Sequence, residues 1–100
     1  MAGDSRDDVG PVLQTGRLAE AVIAAIRELN PGARVVDRGA YLRVLVPWRC
    51  VVTRECIERH AREAFAFPSD LEMIMSSFKG RLSMSAEGAL WELVARRTGP

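Results

Sequence analysis

Residues 34–46, RVVDRGAYLRVLV, decide the fold class of this 100-residue chain. Two runs rich in branched residues, 34–37 and 40–46, flank Arg38-Gly39, and this pattern predicts an antiparallel hairpin. Apolar residues alternate onto one face of the second run: Leu42, Val44 and Val46. The opposite face is only partly polar, so we expect part of it to be covered.

A strand and an amphipathic helix precede the hairpin. Residues 9–13 predict a short strand, and Pro11 near its start indicates an edge position or a bend. Over residues 17–29 apolar side chains recur at spacings of three and four, which predicts a helix. We expect Thr15 to cap this helix and residues 30–32, Asn-Pro-Gly, to end it.

The middle of the chain predicts another strand and a second helix. Residues 49–52 follow a turn at 47–48 as a short strand, and Thr53 is placed to cap a helix that ends near Glu63. The residues that this helix is expected to turn toward the core are Ile57, Ala61 and Ala64.

The last third predicts a short helix and a second hairpin. Ser69 and Glu72 fit a capping box, which favours a helix through Met75. Because the apolar residues of 70–75 also alternate, a strand stays open as the other interpretation of that segment. Residues 76–80 are predicted to form a turn, and residues 81–84 and 89–94 pair as the hairpin.

The element order β-α-β-β-β-α-(α)-β-β predicts one α+β domain, with small antiparallel or mixed sheets and helices packed on one side. A chain of this length supports a single hydrophobic core. We expect a flexible N-terminal tail at residues 1–8, the domain at 9–95 and a frayed C-terminus at 96–100.

Charge and composition argue against several classes of function. Fourteen basic and 13 acidic residues leave a net charge of +1, without the basic excess that nucleic acid or an anionic membrane requires. No apolar run approaches the roughly 20 residues that span a bilayer, and the polar start is unlike a signal peptide. We therefore expect a cytoplasmic protein, in which Cys50 and Cys56 are small apolar residues and form no disulfide.

No catalytic or metal-binding constellation is visible in the sequence. His60 lies four residues after Cys56 on the second predicted helix, so a Cys-His dyad can be written, but nothing nearby supplies an oxyanion site. With Cys50 these residues give three metal ligands of the four that a structural zinc site needs. We expect no catalysis, no metal and no cofactor, and a small nucleic-acid-binding module is the alternative function.

Five stretches, taken in order, carry a resemblance to a known family. They are VGPVL at 9–13, NPG at 30–32, DR-x-AYLRV at 37–44, LE at 71–72 and SF-x-GRL at 77–82. This series resembles the regulatory or effector proteins of bacterial multicomponent diiron monooxygenases. The short N-terminal extension is similar to that of the toluene and phenol monooxygenase branch. Two stretches depart from the family pattern: residues 61–65 lack the usual glycine after the second helix, and Pro47-Trp48 replaces a more polar turn.

The resemblance implies a cofactor-free protein that binds a diiron hydroxylase, itself supplied with electrons by a reductase or ferredoxin. Binding would tune the conformation of the hydroxylase, access of substrate and oxygen, and the coupling of electron transfer to hydroxylation. The free effector is expected to be a monomer. The residues expected to contact the hydroxylase are Val9, Gly10, Pro11, Asn30, Pro31, Gly32, Ser76, Ser77, Phe78, Lys79 and Gly80.

Overall fold

The computed structural model describes residues 7–94, so residues 1–6 of the predicted tail at 1–8, and the predicted frayed end at 96–100, lie outside the described residues. The elements are β1 (Asp8–Gln14), α1 (Arg17–Leu29), β2 (Arg34–Asp37), β3 (Tyr41–Pro47), β4 (Arg49–Thr53), α2 (Arg54–Ala61), α3 (Ser69–Ile74), β5 (Met75–Lys79), β6 (Arg81–Ser85) and β7 (Gly88–Glu92). The predicted α+β class is confirmed. β1 begins one residue earlier than predicted, because Asp8 is buried within the strand.

Two small antiparallel sheets and helix α1 enclose the core. The four-stranded sheet has the order β2-β3-β1-β5, and the three-stranded sheet has the order β4-β7-β6. Helix α1 packs against α2 and β4. Fully buried side chains come from both sheets and from all three helices, and they include Val9, Leu13, Val22, Ile26, Val52, Ile57, Leu71 and Trp91. In the described part of the chain no helix is long and apolar enough to cross a membrane.

The predicted hairpin forms between β2 and β3, with Arg34 paired to Leu45 and Asp37 to Leu42. Its turn is fixed by the Gly39 N–H, which donates to Asp37 Oδ1 at 2.7 Å. The Thr15 hydroxyl donates to the Gly39 carbonyl oxygen at 2.6 Å, so the prediction that Thr15 caps α1 was wrong. The Thr15 hydroxyl is bound to a residue 24 positions later in the chain, so it is not available to cap the helix.

Helix α2 begins as predicted but ends two residues early. Thr53 Oγ1 accepts from the Cys56 N–H at 3.2 Å, which confirms the cap. The helix stops because Arg62 adopts a left-handed conformation, with φ 61°, which is a common way for a helix to end. Ala64 consequently lies beyond the helix and is exposed, contrary to the prediction, and the core position is filled by Phe65.

Residues 69–74 are helical, and this settles the choice between helix and strand for all but Met75, which opens β5. The predicted capping box is absent, because Ser69 lies inside α3 and its side chain makes no capping bond. Instead the Asp70 carboxylate accepts from the Ala66 N–H at 2.8 Å.

Four of the five residues in the predicted turn at 76–80 belong instead to strand β5. This strand pairs with β1, which therefore lies inside its sheet and not at an edge. The irregularity that Pro11 indicated is present as a bulge between Val12 and Leu13 opposite β5. The second predicted hairpin is confirmed as β6 and β7.

Two single residues carry the chain from the four-stranded to the three-stranded sheet. Trp48 joins β3 to β4 with φ 67°, and Gly80 joins β5 to β6 with φ 103°. At Gly80 a Cβ atom would lie 2.9 Å from both the Glu92 carbonyl oxygen and Val9 Cγ1. Glycine is required at position 80 for two reasons: its φ lies in the left-handed region, and its neighbours leave no room for a Cβ atom.

The Asn30 side chain connects α1 to the outer edge of β4. Its Nδ2 donates to the Ile26 and Val51 carbonyl oxygens, both at 2.7 Å, and its Oδ1 accepts from the Val51 N–H at 2.9 Å. The side-chain amide therefore pairs with Val51 as a neighbouring strand would. Asn30 is only 6% exposed, so these backbone groups have little access to water as an alternative partner.

We predict that Asn30→Ala lowers the free energy of unfolding by about 2–4 kcal/mol, because it leaves the Val51 N–H and C=O buried without partners. Chemical denaturation of the two proteins measures the difference. Gln14→Ala is the matched control, since Gln14 is an exposed amide and its loss is expected to cost less than about 0.5 kcal/mol. Equal effects of the two substitutions would contradict the structural role of Asn30.

Candidate functional site

An open groove of about 370 Å³ lies on the four-stranded sheet, on the face that carries Val12 and Arg43. Paired residues share a face of a sheet, and Val12 pairs with both Arg43 of β3 and Ser77 of β5. These three residues form a row across the groove. The full lining is Gly10, Val12, Arg38, Tyr41, Arg43, Val44, Leu45, Ser76, Ser77, Phe78 and Lys79.

Basic and aromatic side chains dominate the groove. Arg38, Arg43 and Lys79 line it, and no acidic residue is among the described residues that do so. Tyr41 and Phe78 are 43% and 46% exposed, although large aromatic side chains are usually packed in the interior. A groove with basic lining residues and two partly exposed aromatic residues has the composition of a protein-binding surface.

Close packing of β1 on β3 fixes the middle of the groove. At Gly10, where φ is 143°, a Cβ atom would lie 2.6 Å from the Val44 carbonyl oxygen. The bulge in the β1–β5 ladder leaves Ser76 without a register partner, and its hydroxyl donates to the Val12 carbonyl oxygen at 3.4 Å. Bulges redirect neighbouring side chains, so this one helps to set the direction of Ser77 and Phe78.

We predict that Gly10→Ala destabilises the protein by about 2–4 kcal/mol, because the new methyl group meets the β3 backbone and the residue keeps a strained φ. Gly16→Ala is the control, since no neighbouring atom lies within 4 Å of the position that its Cβ would take and its backbone is extended. The midpoint of urea unfolding measures both changes. A wild-type midpoint in Gly10→Ala would show that β1 and β3 do not need this close approach.

The structure brings together five of the residues predicted to bind a partner. Gly10 and the four β5 residues Ser76, Ser77, Phe78 and Lys79 all line the groove. Val9 and Pro11 are buried beneath it, and Gly80 is the packed crossing to the other sheet. Phe78 is exposed, so it does not fill the core.

The predicted Asn30-Pro31-Gly32 contact segment does not line the groove. Pro31 and Gly32 are exposed at the end of α1, but Asn30 is buried and fully engaged in hydrogen bonds. A bulky charged residue at position 30 would therefore be expected to disturb the fold. Sequence reasoning missed Arg38, Tyr41 and Arg43 as candidates, although the alternation in β3 already placed Tyr41 and Arg43 on the face away from the core.

The candidate Cys-His dyad is not arranged for nucleophilic catalysis. Cys56 is 1% exposed, and burial together with the neighbouring Glu28 carboxylate raises the pKa of its thiol. A nucleophilic cysteine needs the opposite shift. His60 Nε2 lies 2.8 Å from Glu28 Oε1, so the imidazole interacts with a carboxylate on α1. Both cysteines are free, and burial raises the pKa of Cys50 to about 12.

The fold and groove define a small α+β binding protein, and comparison with known proteins gives its family. Residues 7–92 match the MmoB/DmpM family, and the chain belongs to that family. It is 42% identical over 85 residues to the effector subunit of the alkene monooxygenase system of Xanthobacter autotrophicus, an alignment that covers 83% of each chain.

Solved structures share the fold at low sequence identity. The chain is similar to a chain in a phenol hydroxylase–regulatory protein complex, with a TM-score of 0.76 and 20% identity over 87% of this chain and 98% of that one. A second structure of such a complex gives a TM-score of 0.73 and 22% identity, covering 85% and 98% of the two chains. The similarity extends over nearly the whole of those chains.

Proposed function

We propose that this protein is the effector component of a multicomponent monooxygenase and that it docks on the diiron hydroxylase through the groove between β3 and β5. Its family membership and its 42% identity to an effector subunit support the role. The observation that carries the proposed site is that two partly exposed aromatic residues, Tyr41 and Phe78, line a groove whose charged lining residues are all basic. The chain itself is a non-catalytic component.

The recognition would combine two aromatic anchors with a complementary charge. Aromatic side chains in desolvated pockets carry much of the energy of protein interfaces, while surrounding polar contacts exclude water. A basic groove favours an acidic surface on the hydroxylase and speeds the encounter between the two proteins. Strand pairing fixes the backbone at both aromatic residues, which limits the ordering that binding requires.

Docking would regulate the hydroxylase by changing the populations of its conformations. An effector that binds one conformation more tightly by about 1–3 kcal/mol shifts the ratio of conformations about 5- to 150-fold. Surface contacts are sufficient for such a preference. The oxidation chemistry then belongs to the iron centre of the hydroxylase, while the effector controls access and coupling. We propose that this regulation takes place in the cytoplasm, where the reductase or ferredoxin also acts. The free effector is proposed to be a monomer.

Truncation of one aromatic ring tests the anchor. Phe78→Ala is expected to weaken binding to the hydroxylase by about 2 kcal/mol, or roughly 30-fold in Kd, because it removes a ring that the partner would bury. The measurement is coupled turnover, as product formed per reductant consumed, across a titration of effector against hydroxylase.

Met73→Ala is the matched control for Phe78→Ala. Met73 is 73% exposed on α3 and lies outside the groove, so its removal tests the loss of an exposed apolar side chain in general. The Met73 variant is expected to titrate like the wild type. A Phe78→Ala curve that overlays the wild-type curve would remove β5 from the docking face.

A charge substitution tests the electrostatic part of the proposal. Ser77→Glu places a carboxylate in the basic groove and is expected to lower the association rate about tenfold at low salt, through repulsion from an acidic partner surface. Ser83→Glu is the control, because Ser83 is an exposed serine on β6 in the other sheet. Stopped-flow association at two salt concentrations measures both variants, and equal rates would refute a specific charge match at the groove.

The same groove also contains the combination that the nucleic-acid alternative requires, namely exposed aromatics beside basic residues on a sheet. A gel shift at low salt decides between the two functions. Binding that weakens steeply with salt, together with no effect on hydroxylase turnover, would favour the alternative and refute the effector role.

A further inference from the structure

Three side chains with metal-binding donors converge where α1 packs on α2. Glu28 lies near the end of α1, and Cys56 and His60 lie one turn apart on α2. The donor atoms of the three residues lie within 4.8 Å of one another. His60 Nε2 and Glu28 Oε1 are separated by 2.8 Å.

The ligand set matches the preferences of zinc. Thiolate, imidazole and carboxylate are its usual protein ligands, and bond lengths of about 2.0–2.3 Å place donors about 3.5 Å apart around a tetrahedral ion. The 2.8 Å between His60 and Glu28, and the upper limit of 4.8 Å for all three pairs, are compatible with that value after side-chain rotation. Glu28 and His60 are partly exposed and can make these rotations, while the buried Cys56 stays fixed by its helix.

We propose that Glu28, Cys56 and His60 bind a divalent ion of the zinc class, with three protein ligands and a fourth position open to water. The site would join α1 to α2 and is independent of the proposed docking groove. Its ligands differ by one residue from the set Cys50, Cys56 and His60 considered from the sequence. Cys50 belongs to β4, and Glu28 from the other helix takes its place.

Arg59 competes with the ion for Glu28. Its Nη1 lies 3.1 Å from Glu28 Oε2 and 3.4 Å from Oε1. Because the Arg59 and Glu28 side chains are 61% and 41% exposed, their ion pair is worth little and can open. Glu55, four residues earlier on α2, already attracts the guanidinium and offers it a second partner.

Binding of the ion would replace one proton. The neutral Cys56 thiol loses its proton to solvent as the sulfur–metal bond forms, His60 coordinates as neutral imidazole, and Glu28 as carboxylate. The resulting link holds two helices that are otherwise connected by packing and by exposed ion pairs. An ion that binds only the folded chain stabilises it, and at about 100 times Kd it lowers the unfolding equilibrium constant about hundredfold.

Cobalt titration of the free full-length protein tests the site. Co²⁺ adopts the same tetrahedral geometry, and its bond to a thiolate gives a charge-transfer absorption in the near ultraviolet. We expect this band to appear at one equivalent of Co²⁺ and to disappear when Zn²⁺ is added. Zn²⁺ should also raise the melting temperature of the wild-type protein.

The variants separate this site from any other. Cys56→Ala should abolish the band, and Cys50→Ala, which removes the other buried thiol, should keep it. His60→Gln and Glu28→Gln should weaken Co²⁺ binding by more than about tenfold. Arg59→Gln should tighten binding about two- to fivefold, because it removes the competitor for Glu28.

The proposal is overturned if the wild type gives no thiolate band, or if the band survives in Cys56→Ala. Should Cys56→Ala prove unfolded by circular dichroism, unchanged binding in the surface variants His60→Gln and Glu28→Gln would overturn it equally. No hydroxylase is present in these measurements, so their failure leaves the docking proposal standing.

Discussion

The close approach of β1 to β3 at Gly10 is the constraint on which the rest of the fold depends. β1 pairs with β3 on one side and with β5 on the other, and it also contacts β4 and β7 of the second sheet. Val9 and Leu13 point from it into the core, while Gly10 and Val12 form part of the groove. One strand therefore positions both the hydrophobic interior and the candidate docking surface.

The two sheets are held together with very little connecting chain. Trp48 and Gly80 each span a crossing alone, and the backbone of Trp48 accepts a hydrogen bond from the Leu93 N–H at 2.9 Å beside β7. Short connections leave few conformations for the unfolded loop to lose, and they limit movement between the sheets. An exposed groove on a rigid scaffold follows from this arrangement.

Local patterns in the sequence predicted what local physics determines. Residue periodicity predicted the bounds of α1 and the pairing of β2 with β3, and both are confirmed, although three residues, 38–40, separate the two strands where two were predicted. β5 was missed because SSFK has little strand character of its own and is held by β1, more than 60 residues away. The family resemblance supplied the function, which no residue pattern alone indicated.

The candidate site was predicted in part, for a related reason. β5 residues were selected as a loop and proved to be a strand in the groove, while Tyr41 and Arg43 became candidates only when register placed Arg43 opposite Val12. Glu28 was overlooked as a candidate metal ligand because Cys56 and His60 lie on another helix, and the sequence does not show which residues of two helices meet. Asn30 was misassigned because a helix terminator in the sequence does not reveal where its side chain points.

That buried amide has a consequence for self-association. An edge strand with free N–H and C=O groups is a template for pairing with other molecules, and this is a common route to aggregation. Asn30 occupies both such groups of Val51 in the middle of β4. A foreign strand therefore cannot extend the second sheet on that side without first displacing a side chain of its own molecule.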